Sequence, residues 1–404
     1  MDRADVIIFG GGLVGLALAA ALDSSGLTAI VVDPADPTPR SDASFDGRTS
    51  AVSSSSMRML ETIGVTEQLA APGCAIRRIA VADGLKPGAL RFDADGEEPL
   101  GVMHENRHLR AALQARAEAG KNVSLLWKSR VTNVDRGQHG IVVSLERGRR
   151  LTAPLLVAAD GRNSRTREAA GINIARWKYD HQAIVSVLRH ERAHEHIAYE
   201  IFYPSGPFAL LPMNDDGVGH RSAIVWSVPN GDATGLLSLS DADFAAEAEA
   251  AMGGFLGRIE MLAPRSSFPL GFHHAAQITA QRLALIGDAA HAIHPIAGQG
   301  LNLGFRDVAA LAEVLVEGAR LGLDIGDQQL LTRYQRWRSL DALSVAFATD
   351  SLTRLYGVPG AAASAVRRFG MGIVGKISPL RDRLKSEAQG TSGTLPLLLR
   401  GLPI

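Results

Sequence analysis

The chain has 404 residues, of which 46% are hydrophobic and 21% charged, a composition typical of a folded enzyme with two or three domains rather than of a disordered or fibrous protein. Its 42 basic and 42 acidic residues cancel, so no net charge favours nucleic acid or an anionic membrane. The single cysteine, Cys74, excludes an internal disulfide and a multi-thiolate metal site, and we expect it to be a small buried side chain in a reducing cytoplasm.

The first predicted element is the apolar run 6–22, VIIFGGGLVGLALAAAL, which has two opposed interpretations. An export signal needs a basic leader, whereas the five residues before this run are net negative and no clear cleavage pattern follows it. The run also changes period, from a short strand at Val6–Phe9 to apolar residues at helical spacing from Leu13 onward. We therefore interpret it as a strand, a glycine turn and a helix.

The turn between this strand and helix carries the pattern G-x-G-x-x-G. Gly10 permits the tight turn, Gly12 lets the backbone approach a pyrophosphate, and Gly15 lets the helix pack closely on the strand. A second strand at Ala29–Val32 ends in Asp33, 21 residues after Gly12, where a carboxylate can accept hydrogen bonds from a ribose. Together these features predict a dinucleotide at a helix N-terminus, without separating NAD from FAD.

A third strand, Leu155–Ala159, leads into DGRNSRTR at 160–167, which is either a ligand-facing loop or an ordinary Asp-Gly turn. The histidine-rich segment HERAHEHIAYE, from His190 to Glu200, is interpreted as a solvated turn that enters a strand. Four alternating or β-branched runs separated by turn residues predict an antiparallel sheet: Ala183–Leu188, Ile197–Tyr203, Phe208–Pro212 and Ser222–Val228.

The most informative segment is 282–315, RLALIGDAAHAIHPIAGQGLNLGFRDVAALAEVL. It predicts a strand at Leu283–Ile286 that closes with Gly287 and Asp288, then a loop containing proline and glycine. A helix is expected to begin near Leu301, with Leu301, Phe305, Val308, Leu311, Ala312 and Leu315 on one apolar face. His291 and His294 lack an evident third ligand, so we predict no metal site, and these histidines either influence proton movement near the cofactor or are structural.

From Val345 onward the pattern is helical, and the chain ends LPLLLRGLPI. This region either packs on the core or forms an amphipathic patch that docks on a membrane or a partner.

Three motifs, GGGLVG, DGRNSRTR and GDAAHAIHPIAGQGLNLG, stand in the order and at the separations of the single-component FAD-dependent aromatic hydroxylases. The chain resembles this para-hydroxybenzoate hydroxylase-like group over essentially its whole length. Within the group, FDGRTSAVSSSSMRMLETIGV, HPIAGQGLNLGFRDVAAL and FATDSLTRLYG are similar to the ubiquinone-biosynthesis hydroxylases. One departure is mild: Asp33 stands where the group often has Glu.

The resemblance implies FAD as the bound cofactor, NAD(P)H as a transient co-substrate, and a role for each matched residue. It assigns Gly10, Gly12, Gly15 and Asp33 to the ADP half, Arg48 and Arg107 to the phosphate and ribityl portion, the Val131 backbone to adenine, and Asp288 to the ribityl chain. It assigns Asp160 and Gly161 to the loop between the FAD and nicotinamide paths, and Pro295, Gly298, Gly300, Leu301 and Asn302 to the isoalloxazine ring. Of these residues and their neighbours, Pro295, His291 and Gly298 form the predicted catalytic set.

The predicted fold class is α/β: a discontinuous Rossmann-like FAD-binding domain, an antiparallel β-sheet substrate domain and a helical C-terminal region. The FAD-binding domain is expected at 1–73, 101–180 and 274–344, the substrate domain at 74–100 and 181–273, and the helical region at 345–404.

The resemblance implies a monooxygenase that hydroxylates an aromatic ring with NAD(P)H and O2. The expected substrate is a polyprenylated phenol of ubiquinone biosynthesis. The alternatives are a flavin-binding accessory protein without turnover, a reductase or halogenase on the same scaffold, or a hydroxylase of another aromatic metabolite. The expected location is the cytoplasm or a peripheral position on the inner membrane. The expected partners are a biosynthetic complex or a second copy of the chain, and no nucleic acid.

Overall fold

A computed structural model describes residues 2–37, 47–85, 90–292, 299–339 and 378–404. In chain order the strands are β1 (Asp2–Arg3), β2 (Val6–Phe9), β3 (Ala29–Val32), β4 (Thr49–Ser53), β5 (Cys74–Ile76), β6 (Arg78–Asp83), β7 (Leu90–Asp93), β8 (Gly101–Glu105), β9 (Val123–Leu126), β10 (Val131–Arg136), β11 (Ile141–Leu145), β12 (Arg150–Ala153), β13 (Leu155–Ala158), β14 (Ile174–His190), β15 (Ile197–Tyr203), β16 (Gly206–Met213), β17 (His220–Pro229), β18 (Ile259–Met261), β19 (Ser266–Ala275), β20 (Thr279–Ala280), β21 (Leu283–Leu285) and β22 (His291–Ala292).

The α-helices, again in chain order, are α1 (Leu13–Ser24), α2 (Ser54–Thr62), α3 (Asn106–Ala119), α4 (Arg165–Ala169), α5 (Asn230–Ser238), α6 (Asp241–Met252), α7 (Gln299–Arg320), α8 (328–339) and α9 (Ser378–Gln389). Short 3-10 turns lie at Thr66–Gln68, Glu146–Gly148, Gly287–Ala289 and Leu398–Arg400.

The central sheet has the strand order β20-β21-β13-β2-β3-β9, and all of its pairs except β20–β21 are parallel. Strands β2, β3, β13 and β21 are buried along their whole length, as expected when both faces of a parallel sheet are covered. Because β2 and β21 come from opposite ends of the sequence, the sheet is assembled from discontinuous segments. This arrangement confirms the Rossmann-like part of the predicted fold class.

The antiparallel sheet follows the order β22-β19-β14-β17-β16-β15-β6-β7, with β18 paired to β14. All four predicted strand runs lie in it, and β6 and β7 extend it at one edge. Strand β5 instead joins β4 and β8 in a separate three-stranded sheet. A fourth sheet, of order β1-β12-β11-β10, lies on the edge of the FAD-binding half.

Helices α5 and α6 were not predicted from the sequence. They cover one face of the antiparallel sheet, where Phe244 and Met252 pack with Ile201, Phe208 and other apolar side chains. In both helices, polar and apolar residues are mixed around the helix axis, so hydrophobic periodicity gives no clear signal for them.

Helix α7 begins at Gln299, two residues before the predicted start, and it carries the predicted apolar residues. Its residues from Asn302 to Val316 are buried on all sides, including the charged Arg306, Asp307 and Glu313. It packs against α1, which itself packs between α7 and α3. The predicted apolar face is present, and packing covers the polar side of the helix as well, so its charged side chains are buried.

The last segment of the chain packs on the core. Leu398 and Leu399 are buried, the Leu397 N–H donates to Glu313 Oε2 at 2.6 Å, and Arg58 Nε donates to the Leu399 carbonyl at 3.2 Å. The last residues therefore pack on the core, whereas residues 345–377 of the predicted helical region lie outside the described residues, so the choice between packing and docking stays a prediction there. None of the helices in the described ranges combines the length and apolar character that a membrane span requires.

Candidate active site

Four predicted site residues lie at one edge of the parallel sheet. Gly10 follows β2, Asp33 follows β3, Asp160 comes shortly after β13, and Asp288 lies in the turn after β21. These strands are neighbours in the order β21-β13-β2-β3, and all of their pairs are parallel. Their carboxyl ends therefore meet at a single edge, the usual position of a ligand crevice in such sheets.

The glycine turn at this edge has the close contacts that the motif predicts. Gly10 has a φ of +108°, and a Cβ there would lie 2.3 Å from the Ala159 carbonyl oxygen. A Cβ on Gly15 would lie 2.0 Å from the Gly10 carbonyl oxygen. At Gly12, the residue that precedes α1, a Cβ would meet nothing within 4 Å, so the helix N-terminus faces open space.

The Asp33 carboxylate is held beside the turn. Its Oδ2 accepts a hydrogen bond from Gly11 N at 2.7 Å, and its Oδ1 accepts one from Ala35 N at 2.7 Å. Each carboxylate oxygen can accept a second bond, which leaves acceptor capacity for a ribose hydroxyl. Ser129 N donates to the Asp33 carbonyl at 3.1 Å, which brings the start of β10 at Val131 toward the same position.

The loop after β13 is joined to the turn after β21. Asp160 Oδ2 accepts from Thr166 N at 3.2 Å and from Thr166 Oγ1 at 2.8 Å. Its Oδ1 is buried and has no hydrogen-bond partner within the ranges that the structure describes. The buried Arg167 donates through Nη1 to the Ala289 carbonyl at 3.0 Å, which fixes the loop beside Asp288.

The Asp288 carboxyl projects into this crevice. Its backbone carbonyl accepts a hydrogen bond from His273 Nε2 at 2.8 Å, which fixes the turn. The Asp288 side chain is exposed to solvent, yet many protein atoms surround it at longer range. A side chain that lines a concave site has both properties. Removal from bulk water raises the pKa of the Asp288 carboxyl, and the charges of Arg162 and His291 act in the opposite direction.

Close contacts between small side chains and glycines bring the N-terminal ends of α1 and α7 together. A Cβ on Gly304 would lie 2.8 Å from Val14 Cγ2 and 3.4 Å from the Gly287 Cα. Val14 is in the first turn of α1, and Leu301 is about one helical turn, roughly 5 Å, before Gly304. The two helix starts are therefore close enough to act on one bound molecule. Within the described ranges, no atom lies within 4 Å of a Cβ placed on Gly300.

A buried charged cluster lies directly beneath the Asp288 turn. Asp307 is fully buried, and its carboxylate accepts from Gly287 N at 2.9 Å and from Arg338 Nε at 2.7 Å. His291 Nε2 lies 2.8 Å from Asp307 Oδ2. Burial opposes ionisation of Asp307, but His291 and Arg338 together outweigh it and hold the pKa of this carboxyl below its ordinary value. The sequence analysis did not identify this cluster. The signal for it was the charged pair Arg-Asp within the otherwise apolar helical segment LGFRDVAAL.

The structure places His291 in this cluster, with only 2% of its side chain exposed. His291 therefore contacts Asp307, and its predicted catalytic role stays a prediction. Pro295, Gly298 and His294 lie outside the described residues, so the other two members of the predicted catalytic set stay predictions.

Asn302 connects α7 to the three-stranded sheet. Its Oδ1 accepts from Ser53 N at 2.9 Å, and its Nδ2 donates to the Ala51 carbonyl at 2.9 Å. The amide side chain therefore fixes β4 against the start of α7. At this position the backbone of α7 is the group that can contact a flavin.

Arg48 and Arg107 are brought to the same end of the three-stranded sheet. The Arg48 carbonyl accepts from Asn106 N at 3.0 Å, which places the two arginines beside each other in space. Arg107 is half-buried, and its guanidinium contacts the buried Glu105 carboxylate at 2.7 Å. Arg221 Nη1 lies 3.5 Å from the same carboxylate.

The expectation of a solvated turn that enters a strand holds for most of the histidine-rich segment: residues 191–193, 195 and 196 are exposed, and β15 begins at Ile197. Two of its histidines differ from this expectation. His190 and His194 are buried, and burial lowers the pKa of both side chains. His190 Nε2 is 2.9 Å from Ser222 Oγ, and His194 Nε2 is 2.9 Å from the Met213 carbonyl oxygen. These contacts tie the turn to neighbouring strands, so two buried histidines anchor a turn whose other residues are exposed.

The residues at this edge fit FAD. Open space faces Gly12, Gly161 and Gly300, where a bound cofactor can approach the backbone. Asp160 offers a buried oxygen without a partner in the described ranges, and Asp288 offers an exposed carboxylate. Two helix N-termini supply N–H groups and partial positive charge for a pyrophosphate and an electron-rich ring.

The relatives that comparison with known proteins finds agree with a site for FAD. Residues 3–346 match the family described as FAD binding domain. The ubiquinone hydroxylase UbiL of Rhodospirillum rubrum is 42% identical over 99% of this chain and 94% of its own length. The human mitochondrial ubiquinone biosynthesis monooxygenase COQ6 is 31% identical over 95% of this chain and 92% of its own length.

A solved structure, that of the p-nitrophenol 4-monooxygenase PnpA from Pseudomonas putida, superposes with a TM-score of 0.78. It covers 98% of this chain and 100% of its own length at 18% identity, so this comparison concerns the fold alone.

Proposed function

The chain belongs to the family of FAD-dependent monooxygenases that includes the ubiquinone hydroxylases, and from this premise we propose that it hydroxylates the aromatic ring of a prenylated phenol in ubiquinone biosynthesis. The observation that carries the proposal is the crevice at the carboxyl edge of the parallel sheet, which combines two helix N-termini with the Asp33, Asp160 and Asp288 carboxylates. NAD(P)H is the proposed electron donor and O2 the oxygen source.

When bound and reduced, FAD supplies the oxygen-activating chemistry, and the protein supplies binding, orientation and exclusion of water. In this proposal the turn at Gly10 and Gly12 binds the pyrophosphate, and Asp33 accepts hydrogen bonds from the ribose. Asp288 accepts a hydrogen bond from the ribityl chain, and the backbone at the start of α7 lies beside the ring. The Asp307 cluster holds the Asp288 turn in position, because its carboxylate accepts a hydrogen bond from Gly287 N.

The antiparallel sheet supports the second part of the proposal, the exclusion of water from the reacting ring. Leu303, in the first turns of α7, packs against Phe272 and Trp177 of this sheet. The sheet therefore covers the start of α7, and a phenol between the two would be shielded and held for attack. A prenylated substrate partitions into lipid, so we extend the proposal to peripheral contact with a membrane.

The experiment is turnover by purified, FAD-loaded protein with short-chain prenylated phenols under isotopically labelled O2. We expect NAD(P)H oxidation that depends on the phenol and one labelled oxygen atom in the product. The matched control is the prenylated benzene without the hydroxyl group, whose ring is less electron-rich and should not react. An accessory protein without turnover would bind FAD yet show no labelled product with any phenol of the series, and this result would overturn the proposal.

A further inference from the structure

Glu200, the central residue of β15, carries a buried carboxyl that the proposed function leaves unused. Only 9% of the residue is exposed. Over the ranges that the structure describes, no donor or cation contacts this carboxyl, and burial alone raises its pKa to about 7. The carboxyl oxygens keep some accessible surface, so this carboxyl borders a space rather than closed core.

The direction of the Glu200 side chain follows from the alternation of β15. Side chains at successive positions of a strand point to opposite faces, so Glu200 shares its face with Ala198 and Phe202. Ile201 points the other way, into the apolar cluster formed with helices α5 and α6. Tyr203 also points to that side, where its hydroxyl donates to the Ala251 carbonyl. Glu200 is therefore on the face that the helices do not cover.

This second face is directed toward the FAD-binding half. On the same face, Ala198, Val187 and Ala223 pack with Cys74 and Met103 of the three-stranded sheet. Strand β4 of that small sheet is hydrogen-bonded to Asn302 near the start of α7. The Glu200 carboxyl thus lies on the side of the antiparallel sheet from which the proposed flavin site is reached.

The sheet row that contains Glu200 is partly open, and it is apolar from Ala209 to Val185 before it reaches Ser266 of β19. In register across the sheet, Glu200 pairs with Ala209, Ala209 with Val225, and Val225 with Val185. Val225 and Val185 are half-buried rather than buried, although they lie on a face enclosed between two halves of the molecule. In the next row Phe268 is 44% exposed. Space therefore remains above an apolar strip that is formed by Val185, Val225, Ala209 and Phe268. The Glu200 carboxyl lies at one end of this strip.

We propose that this apolar strip binds the prenylated phenol and that Glu200 accepts the hydrogen bond of the phenol hydroxyl and then its proton. The inference rests on the proposed function, because it concerns the substrate of that reaction. A prenylated phenol has one polar hydroxyl on an otherwise apolar molecule, which matches one carboxyl beside an apolar strip.

The proton transfer has a simple balance. When the ring carbon gains its oxygen, the phenol O–H bond would break, its proton would form a carboxylic acid on Glu200, and its electron pair would stay on the ring oxygen. This electron pair would make the ring a stronger nucleophile. The O–O bond of the oxygen donor would break as the C–O bond forms, and the proton of the hydroxylated carbon would pass through water to the oxygen left behind. The proton on Glu200 would return to the ring oxygen, so Glu200 would end the cycle ionised.

Few other titratable groups face Glu200. Its in-register neighbours Val81 and Ala209 are apolar, and Asp83, which pairs with Phe202, is the acidic residue of the adjacent strand on this face. Strand β17 also carries Arg221 on this face, and its guanidinium lies 3.5 Å from the Glu105 carboxylate. From the small sheet, Cys74 packs on the same face. Its thiol has a pKa raised by burial to about 11, so it stays protonated near neutral pH.

The test is the affinity of FAD-loaded protein for 2-prenylphenol and for its methyl ether, measured by calorimetry from pH 5.5 to 8.5. A hydrogen bond to an ionised carboxylate predicts that wild-type protein prefers the phenol about 10- to 100-fold at high pH. The preference should decline as the pH falls through 7. In Glu200→Gln it should shrink to a few-fold and lose its pH dependence. Glu260→Gln, whose side chain is 74% exposed, is the matched control and should behave as wild type.

A second readout is thermal unfolding, which needs no substrate. A carboxyl whose folded pKa is raised stabilises the fold only in its protonated form, so wild-type protein loses this stability as the pH rises from about 4.5 to about 7. Glu200→Gln should therefore unfold at a higher temperature than wild type at pH 8 and at the same temperature at pH 4.5.

The outcomes separate the two proposals. If wild-type protein hydroxylates the phenol but Glu200→Gln keeps the full pH-dependent preference for phenol over ether, then Glu200 is not the acceptor and the proposed function stands. If wild-type protein shows no preference for the phenol at any pH, the inference about Glu200 is overturned, whatever the turnover assay shows. Absence of labelled product with every phenol is the separate result that overturns the proposed function.

Discussion

At the scale of single residues, the same side-chain type takes different roles according to its surroundings. Asp33 is fixed by backbone N–H groups, Asp288 is exposed in the crevice, Asp307 is buried against two basic side chains, and Glu200 is buried with no partner in the described ranges. Exposure leaves Asp288 available to a ligand, whereas Asp307 supports the fold. These differences make each carboxylate separately testable.

Replacing Asp288 with alanine should weaken FAD binding without unfolding the protein. Loss of one hydrogen bond to a charged group predicts an affinity for FAD that is about 10- to 100-fold lower. The ratio of flavin to protein absorbance after gel filtration, and a titration of the apoprotein with FAD, measure the effect. Asp232→Ala, an exposed change in the first turn of α5, is the matched control. Full FAD content in Asp288→Ala would refute the role assigned to this residue.

Replacing Asp307 with asparagine should destabilise the fold by about 3–5 kcal/mol at pH 7, because Arg338 and His291 are left buried beside a neutral amide. The folded pKa of Asp307 is lowered from 3.8, so its contribution is present above that value and is lost as the pH falls through the lower folded pKa. The difference between wild type and variant in urea unfolding should therefore be large at pH 7 and shrink in strong acid.

The matched control is Asp241→Asn, which breaks an ion pair with Arg265 in which the Asp241 side chain is 77% exposed. An exposed pair should contribute no more than about 1 kcal/mol. Equal losses in the two variants would show that the Asp307 cluster is not a buried anchor.

At the scale of secondary-structure elements, the site depends on two helices whose starts converge. Strand order alone brings the loops after β2 and β21 to one edge, and the close contact of Val14 with Gly287 and Gly304 then sets the distance between α1 and α7. A larger residue at either glycine would separate the two helix starts. The separation matters because both must face one cofactor.

Gly304→Ala tests this contact. Its new methyl group would lie 2.8 Å from Val14 Cγ2, and we expect a loss of about 1–3 kcal/mol in the free energy of unfolding together with weaker FAD binding. Gly235→Ala, in the exposed helix α5 with nothing within 4 Å of the new Cβ, should instead stabilise the protein by about 0.5–1 kcal/mol. The double variant Val14→Ala, Gly304→Ala should recover much of the loss. Failure to recover would mean that steric contact is not the cause.

At the scale of the whole molecule, the last residues of the chain pack against elements that come from earlier parts of the sequence. Leu399 is buried and its carbonyl is held by Arg58 of α2, while Glu313 of α7 accepts from Leu397 N. Arg306 Nη2 donates to the Gly390 carbonyl at 2.7 Å. The last residues therefore hold α2 and α7 together on the side of the FAD-binding half.

Leu399→Ala should lower the free energy of unfolding by about 2–5 kcal/mol, because it removes apolar volume from a site that is fully buried. Leu402→Ala, at a position that is 41% exposed, should change it by less than about 0.5 kcal/mol. Chemical denaturation of both variants measures the difference. Two equally small effects would indicate that the end of the chain does not support the core.

The sequence by itself determined the parallel sheet and its glycine turn. Strand β2 and the start of α1 fall where predicted, because a buried parallel strand reads as an apolar run and because only glycine fits at Gly10 and Gly15. The motif around Asp288 likewise predicted a strand, a turn and a helix in the correct order. These are local signals, carried by neighbouring residues, and they require no knowledge of distant contacts.

Only the tertiary structure decided which polar groups are buried and with what partner. Asp307 meets Arg338 and His291 across two other elements, and Glu200 is enclosed by strands that are distant in the sequence. Helix α7 is buried on all sides because both halves of the molecule close around it, which no periodicity within the helix reveals. Burial is a property of the packed chain, so the electrostatics that separate an anchor, a ligand acceptor and a proposed base appear only once the sheets and helices are assembled.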